Sequence, residues 1–344
     1  MIIDIHGHYT TAPKALQDYR NAQLASLGSG GPPPEPPVIS DDELRSSIEE
    51  NQLSVMRRRG VDVTLIGPRA SSMGNDAPDG PTATAWARTS NDLVARISAM
   101  FPENFAPVAQ LPQTPQGNLD AVVDELYRSA DAGFVGCLLN PDPSGAHWTA
   151  PPLTDSFWFP VYDALVDTDM PAIIHVSTSC NPAAHTLGAH YLNADTTVFM
   201  QLMSVNLFER YPNLQFVIPH GGGAVPYHWG RYRGLAVRED RPDPGALLSN
   251  VFFDTCVYHQ PGIDLLTTVI PAENLLFASE MLGAVRGADP STGVEWDDTL
   301  HYLRHAPLSP PSLEAILSAN AINVFPRLRE RAQSAAREGS SRAD

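Results

Sequence analysis

Eight short apolar runs, rich in β-branched residues, recur along this 344-residue chain with helix-patterned stretches between them. They are Ile2–Ile5, Val61–Ile66, Phe105–Leu111, Gly133–Leu139, Ala172–Val176, Leu214–Ile218, Val251–Phe253 and Leu275–Ala278. Most are continuous rather than alternating, which is the pattern of parallel strands buried on both faces. Parallel neighbours need a long crossover, usually a helix. Eight strand–helix repeats therefore predict a single (β/α)8 barrel of the α/β class in preference to an open doubly wound sheet. The barrel is placed on residues 1–326, with a polar tail over 327–344 that is expected to start helical and then fray.

The connecting segments fit that frame. Ser40 reads as an N-cap with Glu43 three residues on, opening a helix that runs to Arg59 and stops at Gly60. Further helices are expected over 84–100, 117–132, 156–167, 195–210, 224–237 and 312–319, the last capped by Ser312 after Pro310-Pro311. Residues 28–37 (GSGGPPPEPP) are too rich in Gly and Pro for the interior of either element, and read as a surface loop or flap after the first strand.

Charge and cysteine usage narrow the partners. With 22 Lys+Arg against 39 Asp+Glu, the net charge of −17 argues against nucleic acid and anionic membranes, which need clustered cationic surface. An acidic small molecule has to be held by local arginines. Cys137, Cys180 and Cys256 form neither a disulfide framework nor a CxxC metal site. They read as reduced thiols, and with no leader-like amino terminus and no apolar run of spanning length the expected address is cytoplasmic.

In such a barrel the active site lies where strands end at their carboxyl termini. The first run ends in His6-Gly7-His8, the fifth in His175, the sixth in His220 before Gly221-Gly222-Gly223, and Glu280 follows the eighth. Period two along a strand turns both imidazoles of an HxH to one side, where one cation can bind both. A bare imidazole at the end of the apolar run before His175, or a bare carboxylate after Leu275–Ser279, is costly to bury without a partner. His6, His8, His175 and Glu280 are thus candidate ligands of one metal, although a hydrogen-bonded core histidine and a Glu280 ion pair with Arg286 are the alternatives. Imidazole and carboxylate ligands suit Zn2+ best, with Mn2+ or Fe2+ compatible. Lys14 is the only lysine, so no modified lysine at the fourth strand can bridge a metal pair, and one ion per chain is expected.

Arg69, Arg231 and Arg286 follow strand ends, and guanidinium groups pair with carboxylates bidentately, which points to a polycarboxylate ligand. Asn140 and Tyr191, with His185 and His259, are second-tier donors for it. Asp254 and Cys256 read as core and rim of the seventh strand. His220 is the candidate general acid/base, with Glu280 the other group able to take a proton.

The stretches His6-Gly7-His8-Tyr9, Ile174-His175-Val176-Ser177, His220 to Arg231 (HGGGAVPYHWGR), Phe253 to Gln260 (FDTCVYHQ) and Ser279-Glu280-Met281 with Gly283-Ala284-Val285-Arg286-Gly287 resemble the metal-dependent amidohydrolase superfamily. The resemblance lies in the branch of aminocarboxymuconate semialdehyde decarboxylase, and within it with hydratases. It implies hydration of 4-oxalomesaconate to 4-carboxy-4-hydroxy-2-oxoadipate, a step of protocatechuate 4,5-cleavage, on a Zn2+ centre held by His6, His8, His175 and Glu280. Decarboxylases of this branch usually carry aspartate where this chain has Glu280, which favours the hydro-lyase. A non-oxidative decarboxylase of a related carboxylic acid is the alternative, and an amide or lactone hydrolase or a barrel that only binds its ligand are more remote. Barrels of this kind often associate, so a homo-oligomer is admitted.

Overall fold

The computed structural model describes residues 1–73, 79–115, 117–185 and 188–329. In it β1 (Ile3–His8), β2 (Val63–Gly67), β3 (Phe105–Gln110), β4 (Gly136–Leu139), β5 (Ala172–Ile174), β6 (Phe216–Ile218), β7 (Val251–Asp254) and β8 (Leu275–Leu276) lie side by side in sequence order. Every pairing is parallel. The Ile5 N–H donates to the Phe277 carbonyl at 3.0 Å and the Glu280 N–H to the His6 carbonyl at 2.9 Å, so β1 meets the segment leaving β8 and the cylinder closes. This is the (β/α)8 barrel that the eight runs predict.

Three helices fill the first connection: α1 (Lys14–Ser29), α2 (Asp41–Glu50) and α3 (Gln52–Arg59). Next come α4 (Gly80–Met100), α5 (Asp120–Asp131), α6 (Phe159–Asp167), α7 (Ala189–Met203) and α8 (Leu207–Arg210). The order ends with α9 (Trp229–Arg238), α10 (Gln260–Val269), α11 (Thr299–His305), α12 (Pro310–Glu314) and α13 (Asn320–Val324).

Local chemistry explains where the structure departs from the sequence pattern. Ser40 and Glu43 form the expected capping box, but the helix breaks at Asn51, whose side-chain amide donates to the Ser47 carbonyl at 2.8 Å and competes for an acceptor the helix needs. Gly28 and Ser29 belong to the last turn of α1, which ends on the left-handed Gly30, so the loop begins two residues later than expected. Ser309, not Ser312, is the N-cap of α12: its hydroxyl accepts from the Ser312 N–H, and the two prolines occupy the first turn, where no amide donor is needed. Helices α1, α10 and α11 had no distinct signal. Of the tail, residues 330–344 lie outside the described residues; Arg327 is tied to the barrel by donating to the carbonyls of Phe134, Thr168 and Ala130.

Two apolar layers hold the barrel. Strand residues of one parity, including Ile5, Leu65, Val108, Leu138, Ile173 and Val217, pack with one another and with Val324 and Phe325. Those of the other parity, such as Ile66, Leu139, Ile174 and Phe216, pack against the helices. No described helix is long and apolar enough to cross a membrane.

Candidate active site

Strand β1 turns His6 and His8 to the same side, and both are buried. Their Nε2 atoms lie 3.0 Å apart, and the His8 Nε2 lies 3.3 Å from that of His175, which follows β5. Each opposite ring nitrogen faces an acceptor: the His6 Nδ1 the Asp254 carboxylate at 2.7 Å, the His8 Nδ1 the Pro68 carbonyl at 3.0 Å, and the His175 Nδ1 the Val176 carbonyl at 2.8 Å. These acceptors put the proton on Nδ1 and leave a lone pair on Nε2. Burial, joined by the neighbouring imidazoles, holds His8 and His175 well below the usual histidine range, hence neutral. Three converging lone pairs repel one another, and a cation among them removes the conflict. The donor set therefore fits a divalent metal.

Glu280 approaches the same point from beyond β8. Its carboxylate, a nitrogen of His6, one of His175 and one of His220 lie within 4.8 Å of one another. Both Glu280 (φ 50°) and His220 (φ 52°) adopt the left-handed backbone that non-glycine residues rarely take, a strain that clusters at functional sites. A Cβ on Gly283 would come within 2.6 Å of the Glu280 carbonyl oxygen, and Cβ atoms on Gly221, Gly222 and Gly223 would reach 2.4, 2.5 and 2.4 Å from Val257, the Phe253 ring and the Leu192 carbonyl. The triple glycine thus serves protein packing rather than a ligand's approach.

Second-layer carboxylates fix these side chains. Asp195 on α7 accepts from the His220 Nδ1 at 2.9 Å, while the buried His220 Nε2 has no partner among the described residues. Burial opposes a charged imidazole there, but Asp195, with Glu280 and Asp254 further off, outweighs it and pushes His220 up. Burial likewise pushes the Asp254 carboxyl up, yet the hydrogen bond from His6 and the nearby imidazoles hold it below its ordinary value. Asp254 also accepts from the amides of Gly221 and Cys256 at 3.0 Å each, linking His6 to the glycine turn. Asp4 accepts from the amides of His6 and Ser279, both at 3.1 Å, and burial raises its pKa to about 6. The Tyr258 hydroxyl donates to the Glu280 Oε2 at 2.5 Å.

Sequence reasoning missed Asp195, Asp4 and Tyr258, and took Asp254 for rim when it orients His6. The one available signal was an aspartate inside or closing an apolar strand, as in Ile2-Ile3-Asp4-Ile5 and Val251-Phe252-Phe253-Asp254. Asp195 is a helix residue whose partner lies 25 positions on, and carries no such mark.

A cavity of about 90 Å3 beside the cluster is lined by His8, Arg69, Tyr191, Glu280 and Arg286 among others. Tyr191 stacks on His220 at 5.7 Å between ring centroids and meets His175 edge-on at 5.3 Å. Arg286 lines the cavity while donating to the carbonyls of Gly283 and Leu282, rather than pairing with Glu280. Two residues expected here lie elsewhere. Arg231 is exposed on the first turn of α9 and does not line the cavity, because the 220–228 turn has already left the mouth. Asn140 is buried beyond β4 but spends its side-chain oxygen on the Asp142 amide (2.9 Å) and its backbone on Gln113, shaping a turn. His185 and His259 are exposed.

A family model described as amidohydrolase matches residues 3–327. The chain belongs to the amidohydrolase family. Over 330 residues this amidohydrolase is 54% identical to 2-keto-4-carboxy-3-hexenedioate hydratase of Sphingobium sp. (strain NBRC 103272 / SYK-6), covering 95% of this chain and 97% of that one. The crystal structure of 4-oxalomesaconate hydratase from Rhodopseudomonas palustris is similar with a TM-score of 0.91 and 51% identity, over 98% of this chain and all (100%) of that chain. Gamma-resorcylate decarboxylase of Rhizobium sp. (strain MTP-10005) is 28% identical over 192 residues, or 52% of this chain and 57% of that one.

Proposed function

We propose that this amidohydrolase is a hydro-lyase that adds water to the conjugated C=C of 4-oxalomesaconate, giving 4-carboxy-4-hydroxy-2-oxoadipate in protocatechuate 4,5-cleavage. The observation that carries this reading is the 54% identity to a hydratase across nearly the whole of both chains, where the decarboxylase match covers about half at 28%. The site's chemistry agrees with it. Hydration of a C=C conjugated to carbonyl groups builds negative charge on an enolate-like oxygen, and a site that stabilises it needs cations and a positioned proton carrier.

His6, His8, His175 and Glu280 are the proposed holders of one divalent ion, Zn2+ by ligand type with Mn2+ or Fe2+ as substitutes. When bound, it supplies Lewis acidity that offsets the developing oxygen charge. His220 exchanges a proton through Nε2, the ring nitrogen left over once Asp195 has engaged Nδ1. Glu280, oriented by Tyr258, is the second group able to take a proton from water. Arg69 and Arg286 hold substrate carboxylates, and Tyr191 shapes the wall over the imidazoles. The substrate is a small tricarboxylate. A cytoplasmic address fits the three free cysteines, and association into a homo-oligomer is read from the family habit alone.

The test is an assay of metal-analysed protein with 4-oxalomesaconate in which loss of the conjugated absorbance and CO2 release are followed together. Absorbance loss without CO2, abolished by chelation and restored by Zn2+, is the expected result; release of CO2 moves the protein to the decarboxylases, and no reaction by the metal-loaded enzyme overturns the substrate assignment.

A further inference from the structure

The turn that follows β8 presents two groups with separate tasks: Glu280 meets the imidazole cluster, and Arg286 lines the cavity beside it. Between them lies Leu282, whose backbone is left-handed (φ 58°) like that of Glu280, a conformation that bulky side chains disfavour. Both of its peptide groups are pinned. The Leu282 N–H donates to the Asp297 Oδ2 at 3.0 Å, and its carbonyl accepts from the Thr10 hydroxyl at 2.8 Å and from the Arg286 Nη2. The Arg286 Nε donates to the next carbonyl, that of Gly283, at 2.8 Å, and the Gly283 N–H closes the turn on the Glu280 carbonyl at 2.9 Å. The backbone of Glu280 and the guanidinium of Arg286 are thereby tied to one short stretch of chain, and Asp297 holds that stretch from outside.

Asp297 has a second partner. Arg59 on α3 donates through Nη2 to the Asp297 Oδ1 at 2.6 Å and through Nη1 to the Asp297 carbonyl at 3.0 Å, and both side chains are 6% exposed. A carboxylate accepts on both oxygens, whereas an asparagine amide offers one acceptor and one donor group, and could satisfy Arg59 or Leu282 but not both. A buried ion pair is weak evidence for stability, because well-packed apolar residues of similar volume often hold a fold as well; fixing a register is its best-attested use. We infer that Asp297, held by Arg59, is a positioning residue that keeps Glu280 and Arg286 in register with each other, so that metal retention and carboxylate binding both depend on a side chain absent from the cavity wall. The inference rests on the site reading above, in which Glu280 holds the metal and Arg286 a substrate carboxylate.

The experiment uses the full-length protein and two readouts that do not need turnover. Zn2+ affinity is measured by competition with a chromophoric chelator, and tricarballylate, a saturated tricarboxylate with no C=C to hydrate, is titrated calorimetrically into protein kept saturated with Zn2+. Glu280→Gln reports the zinc arm and Arg286→Gln the carboxylate arm. The expected result is that Asp297→Asn loses on both: Zn2+ binding weakened about tenfold or more, tricarballylate binding weakened about tenfold, and, for 4-oxalomesaconate at saturating Zn2+, a raised KM together with a lowered kcat. Arg59→Lys, in which one ammonium replaces the two guanidinium contacts to Asp297, shifts both affinities in the same direction by less, and it carries the test should Asp297→Asn fail to fold. Unchanged Zn2+ and tricarballylate affinities, even with a lowered melting temperature, mean that the pair serves folding alone and overturn the proposal, as does the loss of only one of the two. If instead Glu280→Gln holds Zn2+ like the wild type, or Arg286→Gln binds tricarballylate like the wild type, the site reading itself falls and takes the positioning role with it.

Discussion

The two ends of the barrel are built on opposite terms. At the base, Val324 and Phe325 close the interior against apolar strand residues, a Cβ on Gly136 would reach 3.0 Å from the Phe325 ring, and Asn320 and Arg327 satisfy carbonyls left over at strand and helix ends. At the mouth, four imidazoles and four carboxylates are buried together, on His6, His8, His175, His220, Asp4, Asp195, Asp254 and Glu280, and the backbone is left-handed at His220, Glu280 and Leu282. The base lowers the free energy of the fold. The mouth raises it, because buried charge and positive φ are unfavourable unless something else compensates. A barrel tolerates this arrangement because mouth and base are separate surfaces of one rigid cylinder.

Changes at the proposed metal ligands are expected to break this division most severely. His175→Ala is expected to lower turnover about 10^4-fold, the scale of several kcal/mol of lost charge stabilisation, with the bound metal lost by elemental analysis and circular dichroism unchanged. His220→Asn is expected to cost about 10^3-fold in kcat while keeping the metal, if it is the proton carrier we propose; metal loss in that variant would make it a ligand instead. Asp254→Asn, which leaves His6 in place but weakens its orienting partner, is expected to lower metal affinity or activity about 10–100-fold, measured by competition with a chromophoric chelator. Phe325→Ala at the base should do the least to turnover and the most to folding: about 3–5 kcal/mol of stability lost in denaturant titration, with kcat per folded molecule the same. A large kcat loss there would show that the two ends are mechanically coupled.

The mouth also holds a finer contrast. Arg59 on α3 bonds to Asp297, whose other carboxylate oxygen accepts from the Leu282 amide at 3.0 Å. This chain of contacts braces the strained turn that presents Glu280. It couples a helix of the first connection to the turn that follows the last strand, 15 positions from Leu282 to Asp297 and 238 from Arg59, and no local pattern announces it.

Strand number, parallel order and the ends at which polar residues gather were all legible in the sequence, because they rest on short-range rules. Apolar runs make buried strands, HxH puts two imidazoles on one side, and a barrel has one functional face. The convergence of His6, His8 and His175 followed from those rules. Their limits were equally physical. Arg231 follows the same strand as His220, but the intervening turn carries it out to solvent, and Asn140 sits at a strand end yet is consumed by its own turn. Nearness to a strand end bounds a position without giving a direction.

The sequence by itself determined the barrel, its chemistry-bearing end and the donor types that gather there, since each depends on periodicity and residue type within a few positions. Only the tertiary structure decided which nitrogen each imidazole turns inward, and which carboxylate or carbonyl holds the other. Most of those are contacts between residues far apart in the chain, whose geometry is fixed when eight strands close into one cylinder and not before.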